Sequence, residues 1–451
     1  MTERAHWKSK AGFILAAAGS AVGLGNIWRF PYETGENGGG VFVLVYVACV
    51  ILIGLPVMVA EILLGRASQR SPVSAFKRLA GARSGWVSLG WLGVASAFCI
   101  LSFYSVVAGW SMHYTWLSLT GQLREMGPEG AQQAFGQLFG SAWLNVSWHV
   151  VFMGLTVGVI MGGVGKGLER WARILMPALF AMLGILLIRS FTLPGFGPAM
   201  GFVFGFHAEN FTAGGVLEAL GQSFFSLSLG MGAMLTYGSY LHKDDDIMGA
   251  SVSVCALDTG IALVAAMVLF PIIFTNNMEP AAGPGLVFLS IPVALSSMPG
   301  GGVLATIFFS LLVVAALTSS IAMLEVAASY LIDDRGWSRR RASLAAGAAI
   351  ALTGIPAALS GATHTFGDGF ASLTGMNWFD ALAYLSNNWM LPLGGLGIAV
   401  YTGWRMDDAI RHDHFLSGSK LGVFYRGWLV LLKFLTPVAI AFVFVHAVGG
   451  V

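Results

Sequence analysis

Apolar runs of membrane-crossing length alternate with short polar segments along the whole chain. We count eleven, centred near residues 20, 50, 100, 153, 180, 228, 262, 316, 349, 390 and 436; about 20 apolar residues suffice to span a bilayer as helix. Two runs are broken by glycine near their middle. The first reads Gly19-Ser20-Ala21-Val22-Gly23-Leu24-Gly25-Asn26 and continues into Arg29-Phe30-Pro31; the sixth reads Ser226-Leu227-Ser228-Leu229-Gly230-Met231-Gly232. Lipid cannot satisfy the N–H and C=O groups that a broken helix frees, so such backbone must line a cavity. Two breaks five spans apart point to inverted repeats with a binding site between them. The pattern therefore predicts an all-α polytopic membrane protein of eleven transmembrane helices. It forms a single transporter domain over residues 1–451: helices 1–5 over about 9–190, helices 6–10 over about 216–402 as the inverted repeat with broken helices 1 and 6, and helix 11 over about 422–448.

Charge placement gives the orientation. Only 10% of the 451 residues are charged, against roughly a quarter in soluble domains. With the N-terminus inside, 20 of the 24 basic residues fall in cytoplasmic segments, so the positive-inside rule puts the N-terminus in the cytoplasm and Val451 outside. The basic loops read as determinants of topology, and nothing suggests nucleic-acid binding. No cleavable signal peptide is visible. Cys49, Cys99 and Cys255 all fall within spans and read as small core residues. The segment from Pro271 to Gly302, with Pro280, Pro284, Pro292 and Pro299, is expected to form a broken, partly helical cap on the outer side.

Candidate chemistry clusters at the breaks. Half-helix N-termini attract a carboxylate and freed carbonyls attract a cation, so a zwitterion such as an amino acid suits both. Asn26, Ser226, Ser228, Thr318 and Ser319 add neutral oxygens of the hard kind that sodium prefers. Asp258 is an intramembrane carboxylate, and therefore a functional candidate; Glu61 and Glu218 are balanced between function and structural pairing. Other classes fail on spacing. Ser147 and His149 are two residues apart on a helix and cannot face each other as a hydrolytic pair. Gly23-Leu24-Gly25 has Trp28 where a dinucleotide fingerprint needs its third glycine.

The first broken motif through Pro31, together with Glu36-Asn37-Gly38-Gly39-Gly40, Gly221-Gln222-Ser223-Phe224-Phe225-Ser226-Leu227-Ser228 and Leu317-Thr318-Ser319-Ser320, resembles the neurotransmitter:sodium symporter family, above all its bacterial members that carry hydrophobic amino acids. The resemblance implies a sodium-coupled symporter, not an enzyme, in the cell membrane. It would import neutral hydrophobic L-amino acids, aliphatic to aromatic and including tryptophan, by alternating access. It implies two sodium ions. One would use Ala21, Asn26, Ser226 and Asp258; the other Gly19, Val22, Ala315, Thr318 and Ser319. Substrate would meet Ala21, Leu24, Gly25, Ile100, Tyr104, Phe225, Ser226, Ser228, Met231, Ser319 and Met323. Gating would fall to Arg4, Trp7, Arg29, Ser239, Tyr240, Glu325 and Asp333. The implied partners are a small-molecule amino acid and the lipid bilayer; the oligomeric state is left open. Three departures stand out. Relatives pair the arginine at Arg29 with an aspartate of the tenth span, where this chain has Ala383, with Asp380 one turn away as the candidate substitute. Asp258 replaces a usual asparagine, so chloride is expected to be dispensable and a proton to be taken up when sodium leaves. Many relatives have a twelfth span. A proton-coupled amino-acid transporter of similar fold, with Asp258 as the proton carrier, is the alternative.

Overall fold

In lipid, helix alone satisfies the backbone of a single spanning segment, and helix dominates the computed structural model, which describes residues 4–124, 126–206, 211–278, 285–362 and 368–449. The first span is a bent pair, Lys10–Ala21 and Gly25–Glu36, with 54° between the halves. Ser9 starts it, its Oγ accepting from the amide of Gly12. Eight further helices have the length and apolarity of a membrane crossing: Gly40–Ser68, Val87–Leu119, Ala142–Met161, Val164–Ser190, Ile247–Thr275, Gly301–Arg335, Arg339–Ala358 and Gly422–His446. They match the second to fifth, seventh to ninth and eleventh predicted spans. The sixth consists of Ala213–Ser226 and Ala233–Gly238 on either side of an unwound stretch. The tenth runs from Trp378 to Arg405 without a gap; Asn387, Asn388 and its glycines dilute its apolarity.

Burial sorts the spans. The third and eighth are central, with 78% of their apolar windows buried, against 22% for the eleventh, which faces outward. The two broken spans pack around this centre. Gly230, at φ +81°, takes the turn in the sixth span that an L side chain resists. A Cβ there would collide with the carbonyl oxygen of Leu391 in the tenth span. The unwound strand thus lies directly on the tenth-span backbone. Its amide is not orphaned: Gly230 N donates to Glu61 Oε1 at 2.7 Å, which gives the fully buried Glu61 a structural partner.

The expected cap needs new boundaries. Pro271 does not begin it but lies inside the seventh span, which continues to Thr275. A proline in mid-helix leaves the carbonyl four residues earlier without its usual donor. That carbonyl, of Met267, accepts instead from Ser190 Oγ at 2.6 Å. Helical turns follow over Leu286–Ser290 and Ile291–Ser296, and Gly301–Gly302 already belong to the eighth span. Pro280 and Pro284 lie outside the described residues.

Candidate functional site

The break in the first span turns its freed backbone toward polar side chains. Gly23 N donates to Asn26 Oδ1 at 3.0 Å, and Leu24 N to the hydroxyl of Tyr104 at 3.3 Å. The other end of the Asn26 amide reaches the sixth and seventh spans. Its Nδ2 lies 2.9 Å from Ser226 Oγ and 2.7 Å from Asp258 Oδ1. Ser226 Oγ is 2.9 Å from both carboxylate oxygens, and Tyr46 OH is 3.2 Å from Oδ2. Asp258 is fully buried and is surrounded by neutral donors from three spans, with no cationic side chain among its partners in the described residues. Asn26, Ser226 and Asp258 are thus in direct contact. Ala21 lines the cavity alongside.

A second cluster joins the first and eighth spans. Ser319 Oγ lies 3.4, 3.1 and 3.2 Å from the carbonyl oxygens of Gly19, Ser20 and Val22. Thr318 Oγ1 is 2.9 Å from the Ala315 carbonyl and 3.5 Å from that of Val22. Each hydroxyl has one proton to give. Most of these approaches therefore place oxygen against oxygen with no hydrogen between, an arrangement that a hard cation stabilises. All five residues named for the second ion meet here.

Between the clusters is a cavity of about 20 Å³. Every sequence-derived substrate residue lines it: Ala21, Leu24, Gly25, Ile100, Tyr104, Phe225, Ser226, Ser228, Met231, Ser319 and Met323. Leu391 of the tenth span lines it too. Sequence reading missed this residue because a leucine in an apolar span carries no distinguishing signal.

A vestibule of about 270 Å³ lies on the far side of Tyr104 and Phe225, which line both spaces. Here the expected ion pair is replaced. Asp380 does not reach Arg29; it is held at its own helix start by Asn377. Arg29 meets Glu33 of its own span and Glu218 of the sixth, each at 3.3 Å, and its guanidinium lies 5.6 Å from the centre of the Phe225 ring. The tenth span faces this vestibule with Ala383, Asn387 and Asn388. The charge lost from that span is met instead by Glu33, which lines the vestibule with Arg29, and by Glu218, which lines an adjoining pocket with it.

At the face carrying the N-terminus, the gating candidates form one network. Arg4 Nη1 pairs with Asp333 at 2.5–2.6 Å, and its Nη2 donates to Ser239 Oγ at 2.6 Å. Its guanidinium stacks over Tyr240 at 4.7 Å. Trp7 donates its ring N–H to the Tyr237 carbonyl at 3.0 Å. Tyr240 OH donates to Glu325 Oε1 at 2.5 Å, and Arg339 pairs with Oε2 at 2.5 Å. Arg339 was read only as a topology determinant, since one arginine of a run of three looks like its neighbours.

The chain matches the sodium:neurotransmitter symporter family over residues 4–126 and 138–450. It is 37% identical to the uncharacterized sodium-dependent transporter YhdH of Bacillus subtilis, over 98% of this chain and 97% of that protein. It is 28% identical to the human sodium- and chloride-dependent GABA transporter 2, over 73% of this chain and 62% of the relative. The crystal structure of MhsT in complex with L-phenylalanine superposes with a TM-score of 0.89 at 41% identity, covering 99% of this chain and all of that one. The chain therefore belongs to the sodium:neurotransmitter symporter family: it is a sodium-dependent membrane transporter of a small-molecule substrate, and its family is one of transporters, not enzymes.

Proposed function

We propose that the protein imports neutral hydrophobic L-amino acids together with two sodium ions. The observation that carries this reading is the cavity itself. Backbone from two broken helices and the hydroxyls of Tyr104 and Ser228 form its polar end, suited to the amino and carboxyl groups that all such substrates share. Ile100, Phe225, Met231, Met323 and Leu391 form the rest, and no charged side chain is among its lining residues. A charged substrate side chain would lose its hydration there at a cost of several kcal/mol with nothing to pair with. The L-phenylalanine held by MhsT agrees with the apolar wall; at about 20 Å³ the cavity has room for about one water, so it must widen to admit a side chain of that size.

In this reading the first sodium ion lies against Asn26, Ser226, Asp258 and the Ala21 carbonyl. The second lies against the carbonyls of Gly19, Val22 and Ala315 and the hydroxyls of Thr318 and Ser319. Spans 1, 2, 6 and 7 rock against the remainder, with the N-terminus cytoplasmic and the C-terminus outside. Chloride is unnecessary because Asp258 supplies the negative charge itself. Tyr46 and Ser226, which could otherwise hold an anion, already direct their hydroxyls to its carboxylate. A tenfold sodium gradient contributes roughly 1.4 kcal/mol per ion, and 100 mV roughly 2.3 kcal/mol per charge. Two ions therefore suffice for more than a thousandfold accumulation.

The test is uptake of each of the twenty amino acids into proteoliposomes, with sodium replaced by potassium at fixed pH and chloride by gluconate. Uptake confined to hydrophobic amino acids, sodium-dependent and indifferent to gluconate, is expected. Uptake that survives in potassium and follows a pH gradient would favour proton coupling through Asp258. Stimulation by chloride, or efficient lysine or glutamate transport, would overturn the reading.

A further inference from the structure

We propose that Arg66 is a positioning residue for the transport cycle: it fastens the short helix Asp408–Leu416, which connects the tenth and eleventh spans, to the end of the second span and the loop after the sixth, and this joint opens once per cycle. The inference rests on the rocking of spans 1, 2, 6 and 7 proposed above.

Arg66 occupies the last turn of the second span and is only 1% exposed. A buried guanidinium is normally matched by a carboxylate; among the described residues this one is held by backbone carbonyls alone. Nη1 donates to the carbonyl of Asp245 at 2.5 Å and to that of Ser417 at 3.5 Å, and Nη2 donates to the carbonyl of His414. Asp245 lies in the loop between the sixth and seventh spans, so one side of the fork belongs to the rocking group. His414 and Ser417 lie at the C-terminal end of the short helix, where the last carbonyls have no partner within the helix and carry its negative dipole. A basic residue from within a helix often caps such an end. Here the cap comes from a span more than 340 residues earlier.

Two further contacts cross the same boundary. Gly418 turns away from the short helix at φ +69°, and a Cβ there would overlap the Asp244 carbonyl, so the two main chains touch. At the rim, Lys243 Nζ pairs with Asp413 Oδ2 at 3.0 Å, both side chains more than half exposed. The exposed pair adds little stability. The buried fork matters more, because the Nε of Arg66 is already buried without a hydrogen-bond partner and each further carbonyl lost adds to the cost of the desolvated cation. Loss of the His414 and Ser417 carbonyls would strip the guanidinium of its partners on the short helix while the Asp245 bond remains, so the joint has a fastened and an open state. The bond to Asp245 stays within the rocking group, whereas those to His414 and Ser417, the Gly418–Asp244 contact and the Lys243–Asp413 pair run from that group to the connection between spans 10 and 11. Rotation of that group must either carry the short helix along or break the fork.

A covalent bridge across the rim separates a moving joint from a static anchor. In the full-length protein with Cys99→Ala, Lys243→Cys and Asp413→Cys are linked by a short reducible bis-thiosulfonate and reconstituted in liposomes. Sodium-dependent binding and uptake of leucine are then measured before linking, after linking and after reduction. The joint requires binding within twofold of the unlinked protein, uptake reduced at least tenfold, and recovery on reduction. Unchanged uptake after linking overturns the joint as a moving part. Loss of binding after linking overturns it as well, because the bridge would then act on the site and not on the cycle. If the unlinked protein shows no sodium-driven uptake, the symport reading fails and takes the inference with it.

Discussion

Asp258 is surrounded by donors that carry no charge of their own. Asn26, Ser226 and Tyr46 orient its carboxylate, yet none neutralises it, so a cation placed beside it gains the full benefit of the charge. Hydrogen bonds and contacts to a charged group contribute roughly 1.5–3 kcal/mol each. Asp258→Asn is therefore expected to lower sodium affinity roughly ten- to a hundredfold and to introduce chloride sensitivity, both measured by sodium titration of substrate binding in chloride and in gluconate. Unaltered sodium affinity would remove Asp258 from the site. On the apolar side, Met231 and Met323 are unbranched and re-pack around side chains of different size. Met231→Phe should cost tryptophan more than leucine, by about 1–3 kcal/mol for an overpacked site, and competition binding with both amino acids decides it. At this scale the sequence was most informative where chemistry is rare. A carboxylate, an asparagine or a glycine break inside an apolar run is conspicuous, and those residues are brought together. Leu391 and Glu218 were not foreseen in their places, because an apolar wall residue and a carboxylate that meets Arg29 from another span depend on which spans face each other, which no local pattern encodes.

The fifth span shows how an element can be prepared to open. It begins with a wide turn over Val164–Glu169 that follows Gly163 at φ +72°, and Pro177 removes a hydrogen bond further in. The regular helix resumes at Arg170, so one irregular turn and one missing hydrogen bond bracket its first two turns. Pro177→Ala restores a donor, and the expected result is slower sodium release and turnover with sodium-dependent substrate binding nearly unchanged; unchanged turnover would reduce the feature to an ordinary kink. The short helix Asp408–Leu416 is sensitive in a different way. Burial lowers the pKa of His414 below its ordinary value, the neighbouring Arg66 and Lys243 lower it further, and Asp413 opposes them. The folded state therefore binds this proton less readily than the unfolded chain. Stability contributed by neutral His414 is present above the ordinary histidine pKa of about 6.5 and is lost as pH falls through it. Proteolysis within residues 408–418 should increase between pH 7 and pH 5.5, and His414→Gln should flatten that dependence. Element boundaries were legible where glycine marks them, as at Gly23 and Gly230. They were misplaced at Pro271, because a hydroxyl from another span supplies the missing bond there and lets the helix continue.

For the whole molecule, the two closures of the cavity differ in thickness. Toward the vestibule it is bounded by Tyr104 and Phe225, which line both spaces, and the nearby Arg29 pairs are partly exposed, so they add little. Toward the N-terminal face the closure combines the Arg4–Asp333 pair, the Trp7 contacts and the Arg339–Glu325–Tyr240 chain. Arg4→Ala should accordingly shift the protein toward opening on that face, seen as faster thiol labelling of a cysteine placed at Ala5, whereas Glu218→Gln should change sodium-dependent binding by less than about 1 kcal/mol. A double layer on one side and a single ring pair on the other make the molecule hesitant. Captured cargo finds the way back shorter than the way forward, so several arrivals are returned for each one delivered. Radiolabelled amino acid bound from the vestibule side should then exchange with unlabelled amino acid added to that side many times faster than it accumulates within the vesicle. The ratio of those two rates is the number of failed attempts built into each successful crossing.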